Sequence, residues 1–144
     1  MNIFWFRRDL RLEDNIGLYK ASLEKEPTIP LFIFDTNILD ALPKNDARLS
    51  FIYDTLFSID KELKKYNSSL LIKIGDPLVV WKEIINEYSI EKVFFNKDYE
   101  PYAINRDSRI VSFLKSKNID SLVFKDQVIF EESEIVKNDG LPYT

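Results

Sequence analysis

Ile3-Phe4-Trp5-Phe6-Arg7-Arg8-Asp9-Leu10-Arg11-Leu12-Glu13-Asp14-Asn15 is the stretch that decides the fold. Four apolar residues run without alternation, and the polarity then flips at Arg7-Arg8-Asp9. A short unalternating apolar run predicts a strand buried on both faces, which belongs in a parallel sheet covered by helices. Asp14 or Asn15 can cap the helix that follows. The polar cluster then sits at the carboxyl end of the first strand. In open α/β sheets that edge is where ligands bind.

The same pattern recurs down the chain. Ile16, Tyr19 and Leu23 stand at helical spacing through about Lys25. Leu31-Phe32-Ile33-Phe34 is a second buried run, ending at Asp35. Asn37 to Asn45 reads as an irregular connection with one short turn. Asp46 can cap a long helix to about Tyr66, with Leu49, Ile52, Tyr53, Leu56, Ile59 and Leu63 as its apolar stripe. Leu70 to Ile74 is a third strand. Asp76 fits an N-cap and Pro77 the first helical position, with Leu78, Trp81, Ile84, Ile85 and Tyr88 as the buried face. Val93-Phe94-Phe95 is a fourth strand, and Pro101 opens another helix that Asn118 stops. Leu122-Val123-Phe124 is a fifth strand and Val128-Ile129-Phe130 a further short extended piece. Asn138-Asp139-Gly140 reads as a turn. Strands and helices alternate throughout, so the expected fold is α/β: a Rossmann-like, doubly wound, five-stranded parallel sheet with helices on both faces.

The bulk composition sets limits on function. With 144 residues, 45% hydrophobic and 31% charged, the chain is of soluble globular type and long enough for a real core. It has no Cys and no His. That excludes disulfides, thiolate nucleophiles, Ser-His triads and the usual zinc sites. The net charge of −4 argues against a broad nucleic-acid-binding face on this segment. No apolar run approaches the roughly 20 residues of a membrane span and no signal-peptide pattern opens the chain, so a cytoplasmic location is expected. The only glycines are Gly17, Gly75 and Gly140. No G-x-G-x-x-G follows the first strand and no P-loop exists, which argues against a standard NAD or ATP site.

Three strand ends carry acids: Asp9, Asp35, and Asp98 with Glu100. Arg7, Arg8, Arg11 and Arg48 are placed to lie near them, with Phe6 and Phe34 as apolar walls. Two readings follow: ion pairs that fix loops, or a polar-rimmed cleft for a flat ligand. Asp9 and Asp35 could in principle act as acid and base, but no nucleophile or metal set accompanies them. No complete catalytic constellation is present in these residues.

The opening stretch, Phe4 to Asn15, closely resembles the amino-terminal signature of the DNA photolyase/cryptochrome family. Phe34-Asp35, Arg48 at the start of a long helix, Gly75-Asp76-Pro77, Asp98-Tyr99-Glu100-Pro101-Tyr102 with Arg106-Asp107, and Gly140-Leu141-Pro142-Tyr143-Thr144 are similar to that family in the same order. The resemblance covers essentially the whole chain.

It implies a photolyase-type α/β antenna domain at residues 1–130, with 131–144 beginning the linker to a helical FAD domain outside this chain. In photolyases, light excites reduced FAD, often after energy transfer from an antenna pigment. The flavin passes an electron to a pyrimidine dimer, flipped out of the duplex, which then splits. The implied parent is a deoxyribodipyrimidine photo-lyase, and this segment alone is expected to repair nothing. Alternatives are the same domain of a cryptochrome blue-light photoreceptor, or a stand-alone nucleotide-binding module.

Carried over position by position, Asp9, Phe34, Asp35, Arg48, Asp98 and Glu100 match residues that line the antenna cleft in members with a deazaflavin or flavin antenna. Carboxylates and an Arg suit the N–H and C=O edges of such a ring, and Phe34 its face. Folate-using members carry an Asn-Glu pair where this chain has Tyr102-Ala103, and a His after the second strand, so the resemblance favours a flavin-type antenna over folate. Arg8, Arg106 and Asp107 are assigned to ion pairs that hold loops. The implied partners are the protein's own helical FAD domain and, mainly through that domain, damaged DNA, with no membrane. The truncated segment is expected to expose an apolar patch and self-associate.

Overall fold

The computed structural model describes residues 1–43, 45–130 and 134–137. Its elements are β1 (Asn2–Phe6), α1 (Ile16–Ser22), β2 (Thr28–Asp35), α2 (Thr36–Leu39), α3 (Ala47–Lys64), β3 (Leu71–Gly75), α4 (Pro77–Glu87), β4 (Lys92–Asn96), α5 (Pro101–Ser116) and β5 (Asp120–Phe124). The strands form one sheet in the order β3-β2-β1-β4-β5, and every pairing is parallel. This is the doubly wound arrangement expected. The chain steps outward from β1 to β3, then returns to lay β4 on the other side of β1.

Strand β1 is buried along its whole length. Because successive strand side chains point to opposite faces, its apolar run feeds two separate cores. Ile3 and Trp5 pack with Leu31, Ile33, Val93 and Phe95 under Trp81 and Ile84 of α4 and Ile110 and Leu114 of α5. Phe4 and Phe6 pack with Phe32 and Phe94 under Leu56, Ile59 and Leu63 of α3 and Ala21 of α1. Trp5 meets Trp81 and Phe95 edge to face, at 5.7 and 5.8 Å between ring centroids. Such geometry adds to what burial alone contributes.

The helix starts follow the capping residues. Asn15 accepts a hydrogen bond from Leu18 N, Asp46 from Arg48 N, and Asp76 from Leu78 N and Val79 N, with Pro77 in the first turn of α4. Asn118 adopts the left-handed conformation (φ 58°) that ends α5. A bond from the Asn37 side chain comes first among the causes that hold the Asp76 carboxyl below the usual range.

Three expectations are corrected. Helix α1 stops at Ser22 rather than near Lys25, and it buries Gly17 and Ala21 while Tyr19 and Leu23 are exposed. The reason is close approach. Gly17 N donates to Asn96 Oδ1 at 3.0 Å, and a Cβ there would meet that oxygen at 2.7 Å and a Phe4 ring carbon at 2.9 Å. Only small residues fit this face. Gly17→Ala is expected to destabilise the chain by about 1–3 kcal/mol through overpacking. Urea unfolding checks it, and an unchanged midpoint would show that the site relaxes freely.

Tyr53 is exposed rather than part of the α3 stripe, because it lies beside the arc that Leu56, Ile59 and Leu63 turn inward. Val128 to Phe130 form no strand. The segment bends, Lys125 Nζ donates to Ile129 O at 3.2 Å, and Ile129 and Phe130 are exposed. The expected turn at Asn138 to Gly140 lies outside the described residues. Among the described residues, no helix is long and apolar enough to cross a membrane.

Candidate functional site

Asp35 ends β2 and caps α2. Its Oδ1 accepts from Asn37 N at 3.0 Å and Asn37 Nδ2 at 3.1 Å, and its Oδ2 accepts from the Tyr102 hydroxyl at 2.6 Å. Tyr102 stands in the first turn of α5, so this bond ties the carboxyl ends of β2 and β4 together. Desolvation first, then the bond to Asp35 and its charge, push the Tyr102 hydroxyl up to about 12. A raised tyrosine contributes stability fully below its unfolded value, near 10, and loses it as pH climbs through about 12. Tyr102→Phe is therefore expected to flatten the fall in stability between these limits. Denaturant midpoints at pH 9, 10 and 11 measure it, and equal slopes for both proteins would contradict it.

Asp98 follows β4 and is buried. Its Oδ1 accepts from Glu100 N at 3.2 Å and lies 3.9 Å from Arg8 Nη1. Its Oδ2 lies 4.0 Å from Arg106 Nη2. That gap is too long for a hydrogen bond. The Arg106 side chain is 9% exposed, its Nε donates to Asp107 Oδ1 at 2.9 Å, and its guanidinium lies 5.0 Å from the Trp5 ring centroid. Among the described residues, the buried Arg106 Nη2 has no hydrogen-bond partner. A buried donor without a partner is costly and calls for an explanation.

Apolar residues surround this polar end. Phe34 packs edge to face on Phe32 at 5.0 Å. Phe34, Ile38, Leu39, Leu42, Leu49 and Ile52, with Asp35, Asp98, Tyr102 and Arg106, line one cavity of about 370 Å³. That is within the usual size of a small-molecule site, and the composition is the usual one: apolar walls with a few converging polar groups.

Of the six residues expected at the site, the fold brings five to this cavity: Phe34, Asp35, Arg48, Asp98 and Glu100. Arg48 and Glu100 are exposed, and each is paired. Arg48 Nε donates to Asp46 Oδ1 at 2.9 Å, and this pair holds the Asp46 carboxyl at about 2. Glu100 lies 3.2 Å from Arg8. Exposed pairs of this kind contribute little stability.

Asp9 lies outside the cavity. Its Oδ1 accepts from Arg7 N at 2.9 Å, and its Oδ2 from Asn96 Nδ2 at 2.6 Å and Asn15 Nδ2 at 3.4 Å. It staples the ends of β1 and β4 to the cap of α1. Arg7 is buried, donates to Asp107 Oδ2 at 2.7 Å, and lies over the Trp5 and Phe95 rings. Burial pushes its pKa below the ordinary value. Arg11 reaches Asp126 at 2.7 Å. Arg8, Arg106 and Asp107 do form the ion pairs assigned to them, but Arg8 and Arg106 also line the cavity.

Sequence reasoning missed the wall formed by Ile38, Leu39 and Leu42, and the tie from Tyr102 to Asp35. The spacing of 38, 39 and 42 is the apolar signature of one helical turn, hidden by its shortness. Chemically, the site presents a donor and an acceptor side by side at the end of an apolar slot. That complements a flat ligand whose edge carries a carbonyl beside an N–H. Among the described residues, no group of three or more His, Cys, Asp or Glu is placed to hold a metal ion.

A family model described as DNA photolyase matches residues 2–144. A deoxyribodipyrimidine photo-lyase from Synechococcus is 33% identical over 142 residues, which is 99% of this chain and 29% of that protein. The crystal structure of a bacterial class III photolyase from Agrobacterium tumefaciens superposes with a TM-score of 0.87 at 28% identity, covering 99% of this chain and 29% of that one. The crystal structure of an archaeal photolyase from Sulfolobus tokodaii gives a TM-score of 0.80 at 32% identity, covering 94% of this chain and 32% of that one. The chain thus spans about three-tenths of the length of each.

Proposed function

The chain belongs to the DNA photolyase family, and from that premise we propose that it is the light-harvesting domain of a deoxyribodipyrimidine photo-lyase, with a flavin or deazaflavin antenna in the cleft. The observation that carries this reading is Arg106 Nη2, which has no hydrogen-bond partner among the described residues and lies 4.0 Å from Asp98 Oδ2 at the end of the apolar cavity. The pyrimidine edge of a flavin carries adjacent C=O and N–H groups. Arg106 would donate to the first and Asp98 accept from the second. Phe34, Ile38, Leu42 and Ile52 would cover the ring and keep water from it. Asp35, with both oxygens already engaged by Asn37 and Tyr102, holds the wall in place. When bound, such a pigment absorbs near-ultraviolet or blue light and passes the excitation on. The Sulfolobus tokodaii structure contains two FAD molecules, with the implication of a novel light-harvesting cofactor, and this supports the flavin class here.

In the whole protein, residues 1–130 act as the antenna unit and 131–144 lead towards a helical FAD domain. That domain supplies the electron that splits pyrimidine dimers in DNA, in the cytoplasm. The net charge of −4 is in keeping with DNA contact made mainly there. Competitive titration of the purified chain with FMN, a deazaflavin and methenyltetrahydrofolate tests the pigment class. Preference for either flavin supports the reading, and preference for folate overturns it.

A further inference from the structure

We propose that a second hollow beside the pigment cleft receives the hydroxylated tail of the flavin-class pigment, a ribityl chain, and that Arg109 and Asn105 select for that tail. This rests on the flavin reading above and adds to it where the tail goes. The hollow has a volume of about 270 Å³ and lies between the start of α4 and one face of α5, with Asn37, Asp76, Asn105 and Arg109 in its lining. Tyr102 and Arg106 line both this hollow and the larger cavity. The two spaces are therefore neighbours across one shared wall.

Local structure builds that wall as a unit. Helix α5 places Tyr102, Asn105, Arg106 and Arg109 on one face, because residues three and four apart are neighbours on a helix. The Arg106 guanidinium lies 5.9 Å from the Tyr102 ring centroid. On the opposite side, Asn37 Nδ2 donates to Asp35 Oδ1 at 3.1 Å and to Asp76 Oδ2 at 2.9 Å. One amide thus joins the end of β2, in the larger cavity, to the cap of α4, in the hollow.

The chemistry of the hollow suits hydroxyls. Asn105 and Arg109 are exposed, and among the described residues no hydrogen bond or ion pair engages either side chain. Arg109 offers donors, and Asn105 both donors and an acceptor. Asp76 Oδ1 accepts from Leu78 N at 3.0 Å and Val79 N at 3.2 Å, whereas Oδ2 accepts from Asn37 and keeps a lone pair open. A hydroxyl both donates and accepts, so a chain of hydroxyls can use all three groups. A phosphate fits less well. The charges of Arg109 and Asp76 offset each other, and Arg106 is already held by Asp107 at 2.9 Å, so little positive charge is left for an anion. In a flavin or deazaflavin the tail leaves the ring system on the same side as one of the two pyrimidine carbonyls. With that carbonyl on Arg106, the tail starts beside the shared wall.

Titration of the purified chain with lumiflavin, riboflavin and FMN tests this, since lumiflavin carries a methyl group where the others carry the tail. The wild type is expected to bind riboflavin roughly tenfold or more tightly than lumiflavin, and FMN about as tightly as riboflavin. Arg109→Ala and, separately, Asn105→Ala should lower riboflavin affinity towards that of lumiflavin and leave lumiflavin itself unchanged. Far-ultraviolet circular dichroism confirms that each variant is folded. Equal binding of lumiflavin and riboflavin by the wild type, or equal weakening of both by Arg109→Ala, overturns the tail site and leaves the ring site standing. FMN binding far tighter than riboflavin, with the difference lost in Arg109→Ala, makes the hollow a phosphate site and overturns the assignment to hydroxyls. No binding of any of the three overturns both the tail site and the flavin reading.

Discussion

Asp107→Ala is expected to destabilise the folded chain by about 3–5 kcal/mol, the cost of stripping the partner from a buried charge. Its carboxylate serves two guanidiniums at once, accepting from Arg7 Nη1 at 2.7 Å and from Arg106 Nε at 2.9 Å. Both arginine side chains are buried. Arg7 lies over the Trp5 and Phe95 rings, with its guanidinium 4.9 and 4.6 Å from their centroids. Without Asp107 two cations remain side by side in a desolvated place, and each disfavours the other. Arg7→Met should cost less, because Arg106 still satisfies Asp107 and methionine fills the slot between the rings. Urea unfolding of the two variants separates the effects. Small domains are stable by only about 5–15 kcal/mol, so Asp107→Ala removes a large share. A loss no greater than that of Arg7→Met would show that this cluster carries little of the fold.

Asp98→Asn is expected to weaken FMN binding by about 1.5–3 kcal/mol, roughly tenfold to a hundredfold. The substitution keeps the shape of the side chain and replaces an acceptor-only group by one that also donates. A ligand N–H then faces an N–H in some orientations and an uncharged oxygen in others. Fold stability should change little by comparison, since Asp98 lies 3.9 Å from Arg8 and 4.0 Å from Arg106 and bonds only Glu100 N among the described residues. Phe34→Ala provides the apolar counterpart. It should weaken binding through lost ring contact, without changing the response of the bound pigment to pH.

The sheet was legible because each strand announces itself. Phe4 and Trp5 cannot both be buried unless both faces of β1 are covered, and that implies a parallel sheet between helix layers. Asp46, Asp76 and Pro77 marked their helix starts because capping is local chemistry. Closeness of packing was not legible. Tyr19 and Leu23 have the right spacing for a buried face, yet Asn96 and Phe4 approach α1 so nearly that only Gly17 and Ala21 fit.

The site was half legible for a related reason. Strand order brings the ends of β1, β2 and β4 to one edge, so Asp35 and Asp98 fall together. Asp9 shares that edge, but its carboxylate turns to Asn15 and Asn96, and a side chain's direction is not written in its position. The tie from Tyr102 to Asp35 spans 67 residues and that from Arg7 to Asp107 spans 100. No spacing rule reaches so far.

The most direct test of the antenna assignment is a fluorescence titration of FMN with the purified chain, wild type and Asp98→Asn in parallel. Saturable quenching at one FMN per chain, weakened by the substitution, is the predicted result. Absence of saturable binding by the wild type, or equal binding by both proteins, would contradict the placement of a flavin-class pigment between Arg106 and Asp98.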